Sequence, residues 1–253
     1  MSGKLYIIGL GPGAAEMQTP QAAAALAEAT DLLGYGPYVG RVPERPGQVR
    51  HITDNREELF RARHALELAT DGRIVAVVSA GDAGVFGMAS AVFEAVHKGD
   101  PAWRQLDIEV IPGISAMFAA AARIGAMLGH DFCAISLSDN LKPWKLVLER
   151  LAAAAKAGFV MALYNPLSRA RPWQLGAAFD CLRRHLAPTT PIVFATAISR
   201  PDEQVEIFDL RDADPLRADM RTLVMIGTDA TRRIERPGNT PWLYTPRSVE
   251  TIT

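Results

Sequence analysis

Short apolar runs alternate along the first half of the chain with longer stretches in which alanine and leucine recur at helical spacing. The runs predict strands near Leu5–Gly9, Leu32–Gly34, Ile74–Ser79 and Ile108–Ile111; the stretches between them predict helices near Pro20–Ala29, Arg56–Thr70 and Met88–Lys98. Strand and helix in strict alternation is the pattern of βα units on a largely parallel sheet. Thr19-Pro20 supplies a helix start, with a hydroxyl cap before proline in the first turn, and Asp71-Gly72 supplies a helix end.

Beyond Pro112-Gly113 the pattern changes. A helix is predicted near Ser115–Ile124, then strands near Phe132–Leu137, Phe159–Tyr164, Ile192–Ile198, Gln204–Phe208 and Thr222–Ile226, with helices near Pro143–Lys156 and Trp173–Leu186. The last strands follow one another with little helix between them, which predicts antiparallel pairing and a second sheet. The expected architecture is α/β, with a mostly parallel N-terminal sheet in residues 1–113 and a mixed C-terminal sheet in residues 114–253. The segment Gly36–Pro46, with prolines at 37, 43 and 46, reads as a long surface loop, and the proline-rich tail from Arg236 reads as irregular.

Composition narrows the function classes. The 253 residues are 49% hydrophobic and 22% charged, with a formal net charge of −1, so the chain has an ordinary globular balance and no general field for nucleic acid. No apolar stretch reaches membrane-spanning length and no signal peptide is apparent, so the expected location is the cytoplasm. Cys133 and Cys181 are the two cysteines and read as reduced thiols; the five histidines, at 51, 64, 97, 130 and 185, lack metal-ligand spacing, and no metal is expected.

Candidate chemistry gathers where predicted strands end. Ser79–Met88 places three glycines around one carboxylate, Asp82, directly after a strand. Gly9-Leu10-Gly11-Pro12-Gly13 follows the first strand and fits the glycine pattern of nucleotide loops. A dinucleotide site also needs a helix opening at the third small residue and an acid at the far end of the second strand; here the helix cap comes at Thr19, and Asp31 precedes that strand. The segment Val110–Ala116 contains Ser115, readable as a helix cap or as a ligand contact. Tyr164-Asn165-Pro166 and Gly227-Thr228 end two further strands, and five such ends are expected to converge on one cleft.

In this order, Gly-Leu-Gly-Pro-Gly, the Gly81-Asp82 loop, Val110–Ser115, Leu163–Pro166 and Ile226–Thr228 resemble the tetrapyrrole methylases, the class III S-adenosylmethionine-dependent methyltransferases. Gly34–Tyr38, Gly81–Met88, His130–Phe132 and Ile135–Asp139 are similar to the signatures of members that act on corrin precursors. The family usually has proline after the Gly-Asp pair, where this chain has Ala83.

The resemblance implies two α/β domains with S-adenosylmethionine held in a trough between them, S-adenosylhomocysteine as product, and a homodimer. It carries donor contacts onto Pro12, Ala80, Gly81, Asp82, Val85, Ser115 and Ala116, and adenine contacts onto Tyr164, Asn165, Ala197, Gly227 and Thr228. The implied reaction is methylation of precorrin-3B at C(17) with ring contraction to precorrin-4 in cobalamin biosynthesis. A polycarboxylate substrate of this kind calls for basic side chains at its pocket, with Lys142, Arg169 and Arg171 as candidates and Arg41 and Arg45 in loops within reach; Tyr35 and Tyr38 are further substrate-binding candidates. Ring contraction wants a proton acceptor, for which Asp82, Asp139 and His130 are candidates; Asp139 reads alternatively as a helix cap. The competing expectations are another corrin precursor, including a cobalt-containing one, a nicotinamide-dependent oxidoreductase, and a non-catalytic tetrapyrrole or S-adenosylmethionine binder.

Overall fold

The computed structural model describes residues 3–54, 57–168 and 171–248. The chain forms two compact units, Met1–Ala116 and Met117–Thr253.

The first unit runs β1 (Lys4–Gly9), α1 (Pro20–Glu28), β2 (Asp31–Tyr35), α2 (Gly36–Val39), β3 (Val49–Thr53), α3 (Glu58–Thr70), β4 (Ile74–Ser79), α4 (Met88–Lys98) and β5 (Asp107–Ile111). Its five strands lie in the order β3-β2-β4-β1-β5, every neighbour parallel. Side chains alternate across a strand, so β1 divides its residues between two faces. Leu5 and Ile7 join Val75 and Val77 against Ala62, Leu66 and Val92 of α3 and α4; Tyr6 and Ile8 join Ala76 and Val78 against Ala22 and Leu26 of α1. Each large aliphatic side chain fully buried in this way contributes roughly 1.5–3 kcal/mol.

The strand order positions the candidate loops. From β1 the chain passes through α1 on one face to β2, beyond β4; from β4 it passes through α4 on the other face to β5, beyond β1. The loops leaving the adjacent β1 and β4 therefore diverge to opposite faces, the topological switch point where α/β sheets bind ligands.

The amino end of β2 is held by charge. Asp31 is fully buried and accepts from Arg73 Nε at 2.5 Å, His51 Nε2 at 2.9 Å and Thr30 Oγ1 at 2.7 Å. Burial alone would raise its pKa, but the hydrogen bonds from Arg73, His51 and Thr30 outweigh it and hold the carboxyl below its ordinary value. His51 lies on β3, a strand the apolar pattern does not reveal. Its sequence, Val-Arg-His-Ile-Thr, is largely polar because β3 is an edge with one neighbour, and Arg50 donates back to the carbonyls of Val39, Val42 and Pro43. The segment Gly36–Pro46, expected as loop, begins with the short helix α2.

The second unit runs α5 (Ala116–Ile124), β6 (Gly125–Ala126), β7 (Phe132–Ser136), α6 (Trp144–Lys156), β8 (Val160–Tyr164), α7 (Gln174–Leu182), β9 (Pro191–Thr196), β10 (Gln204–Asp209), β11 (Thr222–Ile226), β12 (Arg232–Arg236) and β13 (Asn239–Tyr244). One sheet has the order β10-β9-β11-β8-β7, with β7 parallel to β8 and β11 antiparallel to both β8 and β9. Phe179, Leu175 and Leu182 of α7 and Val147 and Leu151 of α6 pack with Leu163, Phe194 and Val224 on one of its faces. The fold is thus α/β, with a parallel first sheet and a mixed second one, as the patterning predicts. The tail is not irregular: β12 and β13 form a hairpin around Pro237-Gly238, where Gly238 has φ +71°, and β13 continues onto β6. The proline count hid a Pro-Gly turn.

Candidate functional site

Three loops of the first unit lock together at the carboxyl end of its sheet. Gly11 and Gly81 exchange both backbone hydrogen bonds, at 3.0 and 2.9 Å, and both adopt positive φ, +72° and +64°. The loop after β4 thereby passes over the end of β1 and meets the loop after β5. A Cβ on Gly9 would stand 2.6 Å from the Gly81 carbonyl oxygen, and one on Gly113 would stand 2.2 Å from the same oxygen. Only glycine allows these backbones so close. Asp82 adds side-chain bonds: Oδ1 accepts from the Gly84 amide at 2.7 Å and Oδ2 from the Gly113 amide at 3.0 Å. Ser79 Oγ accepts from the Met88 amide at 3.0 Å and fixes the start of α4.

Pro12, Ala80, Gly81, Asp82, Val85, Ser115 and Ala116 all belong to these three loops or to the first residue of α5. Tyr35 ends β2 in the same sheet and packs edge-on against Tyr38, ring centroids 5.3 Å apart. Arg41 is tied to the first glycine loop. Its Nη2 donates to the carbonyls of Leu10 and Gly11, both at 3.0 Å, so it braces the first glycine loop. Arg45 likewise donates to the Leu26 carbonyl at 2.8 Å. Sequence reasoning could not separate such bracing from ligand contact, since an arginine in a loop suits both.

In the second unit, β7, β8 and β9 run in one direction, so Ser136, Tyr164-Asn165 and Ala197 share an end of the sheet. Asn165 Nδ2 donates to Ser136 Oγ at 2.9 Å, and the Met117 amide donates to Tyr164 Oη at 3.2 Å. Asn165 and Ala197 hold φ of +52° and +51°, conformations that cost a non-glycine residue about 1–2 kcal/mol and collect at functional sites. Thr222, at the start of β11, also lies at this end, its hydroxyl 2.8 Å from that of Thr196.

Gly227 and Thr228 lie at the opposite end. Strand β11 is antiparallel, its last residue Ile226 pairs with Met161 and Ile192 near the starts of β8 and β9, and the Gly227 amide donates to the Pro191 carbonyl at 2.8 Å. The expected convergence of five strand ends therefore fails, because the carboxyl-end rule holds only for strands that run in parallel. His130 is misplaced for the same purpose. It precedes β7, its Nδ1 accepting from the Asp131 amide at 2.8 Å, a strand length of roughly 17 Å from the Asp139 end.

Asp139 is not a helix cap; α6 opens after Pro143. Its Oδ1 accepts from Arg171 Nη1 and, at 2.8 Å, from Gln174 Nε2. The Arg171 guanidinium holds the Asp139 carboxyl below its ordinary range. Gln174 is buried, and an amide at the head of a helix gave no sequence signal of this partnership. Nearby in sequence, burial lowers the Lys142 pKa and the charge of Arg150 adds to that shift. Arg169 lies outside the described residues. The thiols of Cys133 and Cys181 are free, both pushed up by burial.

The dinucleotide reading lacks its ribose-binding acid, because Asp31 occupies the amino end of β2 and is held by Arg73 and His51. Comparison with known proteins decides among the rest. The family described as Tetrapyrrole (Corrin/Porphyrin) Methylases matches residues 4–214. The chain belongs to this family. As a tetrapyrrole methylase it is a methyltransferase, and it is 54% identical to a precorrin-3B C(17)-methyltransferase from Sinorhizobium sp, over 98% of this chain and 97% of that protein. It is 42% identical to a probable cobalt-factor III C(17)-methyltransferase from Salmonella typhimurium, over 90% of this chain and 93% of that protein. Among solved structures, the methyltransferase CobJ superposes with a TM-score of 0.93 at 52% identity, covering 97% of this chain and all of that one. A uroporphyrin-III C-methyltransferase from Thermus thermophilus, complexed with S-adenosylhomocysteine, shares the fold at a TM-score of 0.66 and 22% identity. No helix among the described residues is long and apolar enough to cross a membrane.

Proposed function

We propose that this methylase transfers a methyl group from S-adenosylmethionine to C(17) of precorrin-3B, with ring contraction to precorrin-4 in cobalamin biosynthesis. The observation that carries the reading is the 54% identity, over nearly the full length of both chains, to a precorrin-3B C(17)-methyltransferase. Identity to the cobalt-factor III relative is lower, at 42%, which favours the metal-free substrate.

The first-unit rim suits the donor chemically. Its loops present mainly peptide groups and small side chains, while Asp82 within them and Arg41 beside them already serve backbone partners. Pro12, Ala80, Gly81, Val85, Ser115 and Ala116 are assigned to the methionine and ribose portions, and Tyr164, Asn165 and Ala197 to the adenine. Gly227 and Thr228 are withdrawn from the adenine set. Bound donor supplies an electrophilic methyl on a sulfonium, so the protein's part is to hold the accepting carbon at near-attack distance.

Arg171, Lys142, Tyr35 and Tyr38 are assigned to the substrate. Arg171 is oriented by Asp139, and a guanidinium fixed on one side offers its remaining N–H groups to a substrate carboxylate. Asp139, its basicity lowered by that partner, is assigned to orienting Arg171 rather than to proton abstraction. The reading has two domains, taken here as Met1–Ala116 and Met117–Thr253, and a cytoplasmic homodimer completes it, its dimeric state testable by sedimentation of the purified chain.

The test is incubation of purified protein with methyl-labelled S-adenosylmethionine and either precorrin-3B or cobalt-factor III, following label and macrocycle mass. Label and ring contraction on precorrin-3B are expected. Transfer to cobalt-factor III alone would replace the substrate, and transfer to neither would overturn the reading.

A further inference from the structure

Strands β4 and β5 are not neighbours; β1 lies between them. Asp82 nevertheless joins their loops. It follows β4, its Oδ1 accepts from the amide of Gly84 in its own loop, and its Oδ2 reaches past the end of β1 to the amide of Gly113 after β5. Beneath this span lies Gly9, where a Cβ would stand 2.6 Å from the Gly81 oxygen and 2.7 Å from the Gly113 nitrogen. The close approach and the carboxylate are two parts of one device: glycine lets three backbones meet, and Asp82 ties the outer two.

We infer that Asp82 is a positioning residue, which clamps the loops after β4 and β5 into one rigid rim for the methyl donor, and that it is not the proton acceptor of the reaction. The inference rests on the donor assignment proposed above. Each oxygen already accepts from a backbone N–H, and neither amide can swing aside as a side chain would. Accepting a substrate proton on a remaining lone pair would discharge the carboxylate and weaken the charge-assisted bonds that hold the two loops. The Gly113 amide, whose bond is partly buried, would lose more by this than the exposed amide of Gly84.

Two substitutions separate clamp from base. Asp82→Asn keeps the shape but replaces one acceptor oxygen by an NH2 group facing an N–H donor, so one bond is lost. Asp82→Glu keeps the carboxylate but moves its oxygens outward by one methylene. The clamp predicts that both variants bind S-adenosylhomocysteine at least about tenfold more weakly by calorimetry, and that the acidic limb of the turnover pH profile at saturating donor stays where it is in the parent. It also predicts faster amide hydrogen exchange at Gly84 and Gly113 in Asp82→Asn. The inference is overturned if Asp82→Asn binds S-adenosylhomocysteine like the parent while turnover and the acidic limb vanish, or if Asp82→Glu restores full activity and binding. Should the parent bind no S-adenosylhomocysteine, the donor assignment fails. The exchange rates at Gly84 and Gly113 in parent and variant then still decide the clamp: unchanged rates would end it.

Discussion

The carboxyl-end rims of the two sheets are built by different rules. In the first unit every strand runs the same way, so the loops after β1, β4 and β5 arrive at one end and are closed by backbone contacts among Gly9, Gly11, Gly81 and Gly113. In the second unit β11 is reversed between β9 and β8, so residues that follow strands are divided between two ends. Ser136, Asn165 and Ala197 stay together; Gly227 and Thr228 go to the other end. A glycine or threonine after a strand therefore signals a ligand only after the strand's direction is known. The two rims also differ in what holds them: close-packed peptide groups and side chains bonded to backbone, Asp82 and Arg41, in the first; pairs of side chains such as Asn165 with Ser136 and Arg171 with Asp139 in the second.

The contrast can be broken most forcefully at Gly113. Alanine there places a Cβ 2.2 Å from a backbone oxygen, which no rotamer relieves, so Gly113→Ala is expected to lose about 3 kcal/mol of stability and S-adenosylhomocysteine binding with it. Denaturant unfolding and calorimetry measure both. At the other end of the same sheet the support is electrostatic. Asp31→Ala is expected to cost about 2–3 kcal/mol, below the range for a wholly buried pair because Arg73 is partly exposed. Since the folded pKa of Asp31 is depressed, its contribution is present above the unfolded carboxyl value near 3.9. That contribution is lost as pH falls through the folded value, so the unfolding free energy should fall less steeply with acid in Asp31→Ala than in the parent, and the difference between the two should shrink at low pH.

Substitutions in the second unit should be milder and more specific. Arg171→Gln removes the guanidinium that Asp139 orients and is expected to raise the KM for the tetrapyrrole about tenfold, leaving S-adenosylhomocysteine affinity within twofold. Equal loss for both ligands would place Arg171 elsewhere. Ala197→Gly relieves a positive φ of +51° and is expected to stabilise the fold by about 0.5–1 kcal/mol in thermal or chemical unfolding. The smallest effect is expected at Thr228. Alanine there should leave donor binding unchanged, while weakened binding would return that end of β11 to the site.

Much of the architecture was legible because it follows from local periodicity. Alternation of apolar runs with helical stretches fixed β1, β4 and α4 to the residue or nearly so, and Thr19 caps α1 through its hydroxyl at 3.1 Å from the Ala22 amide. What periodicity missed had polar or proline-rich sequence: the edge strand β3, whose arginine and histidine are satisfied by partners distant in the chain, and the hairpin of β12 and β13, turned by Pro237-Gly238.

The loops around Asp82 and Gly113 were visible as glycine-rich strand ends in the right order, and that order alone pointed to the methylase family. Sequence fixes which backbone segments lack a Cβ and which carry a carboxylate; these are properties of single residues. It does not fix which segments meet. That Asp82 serves Gly113, that Arg41 serves Leu10 and Gly11, and that Gly227 faces away from Asn165 all depend on strand order and direction. Those are set by the packing of whole sheets and helices, to which no short stretch of the chain has access.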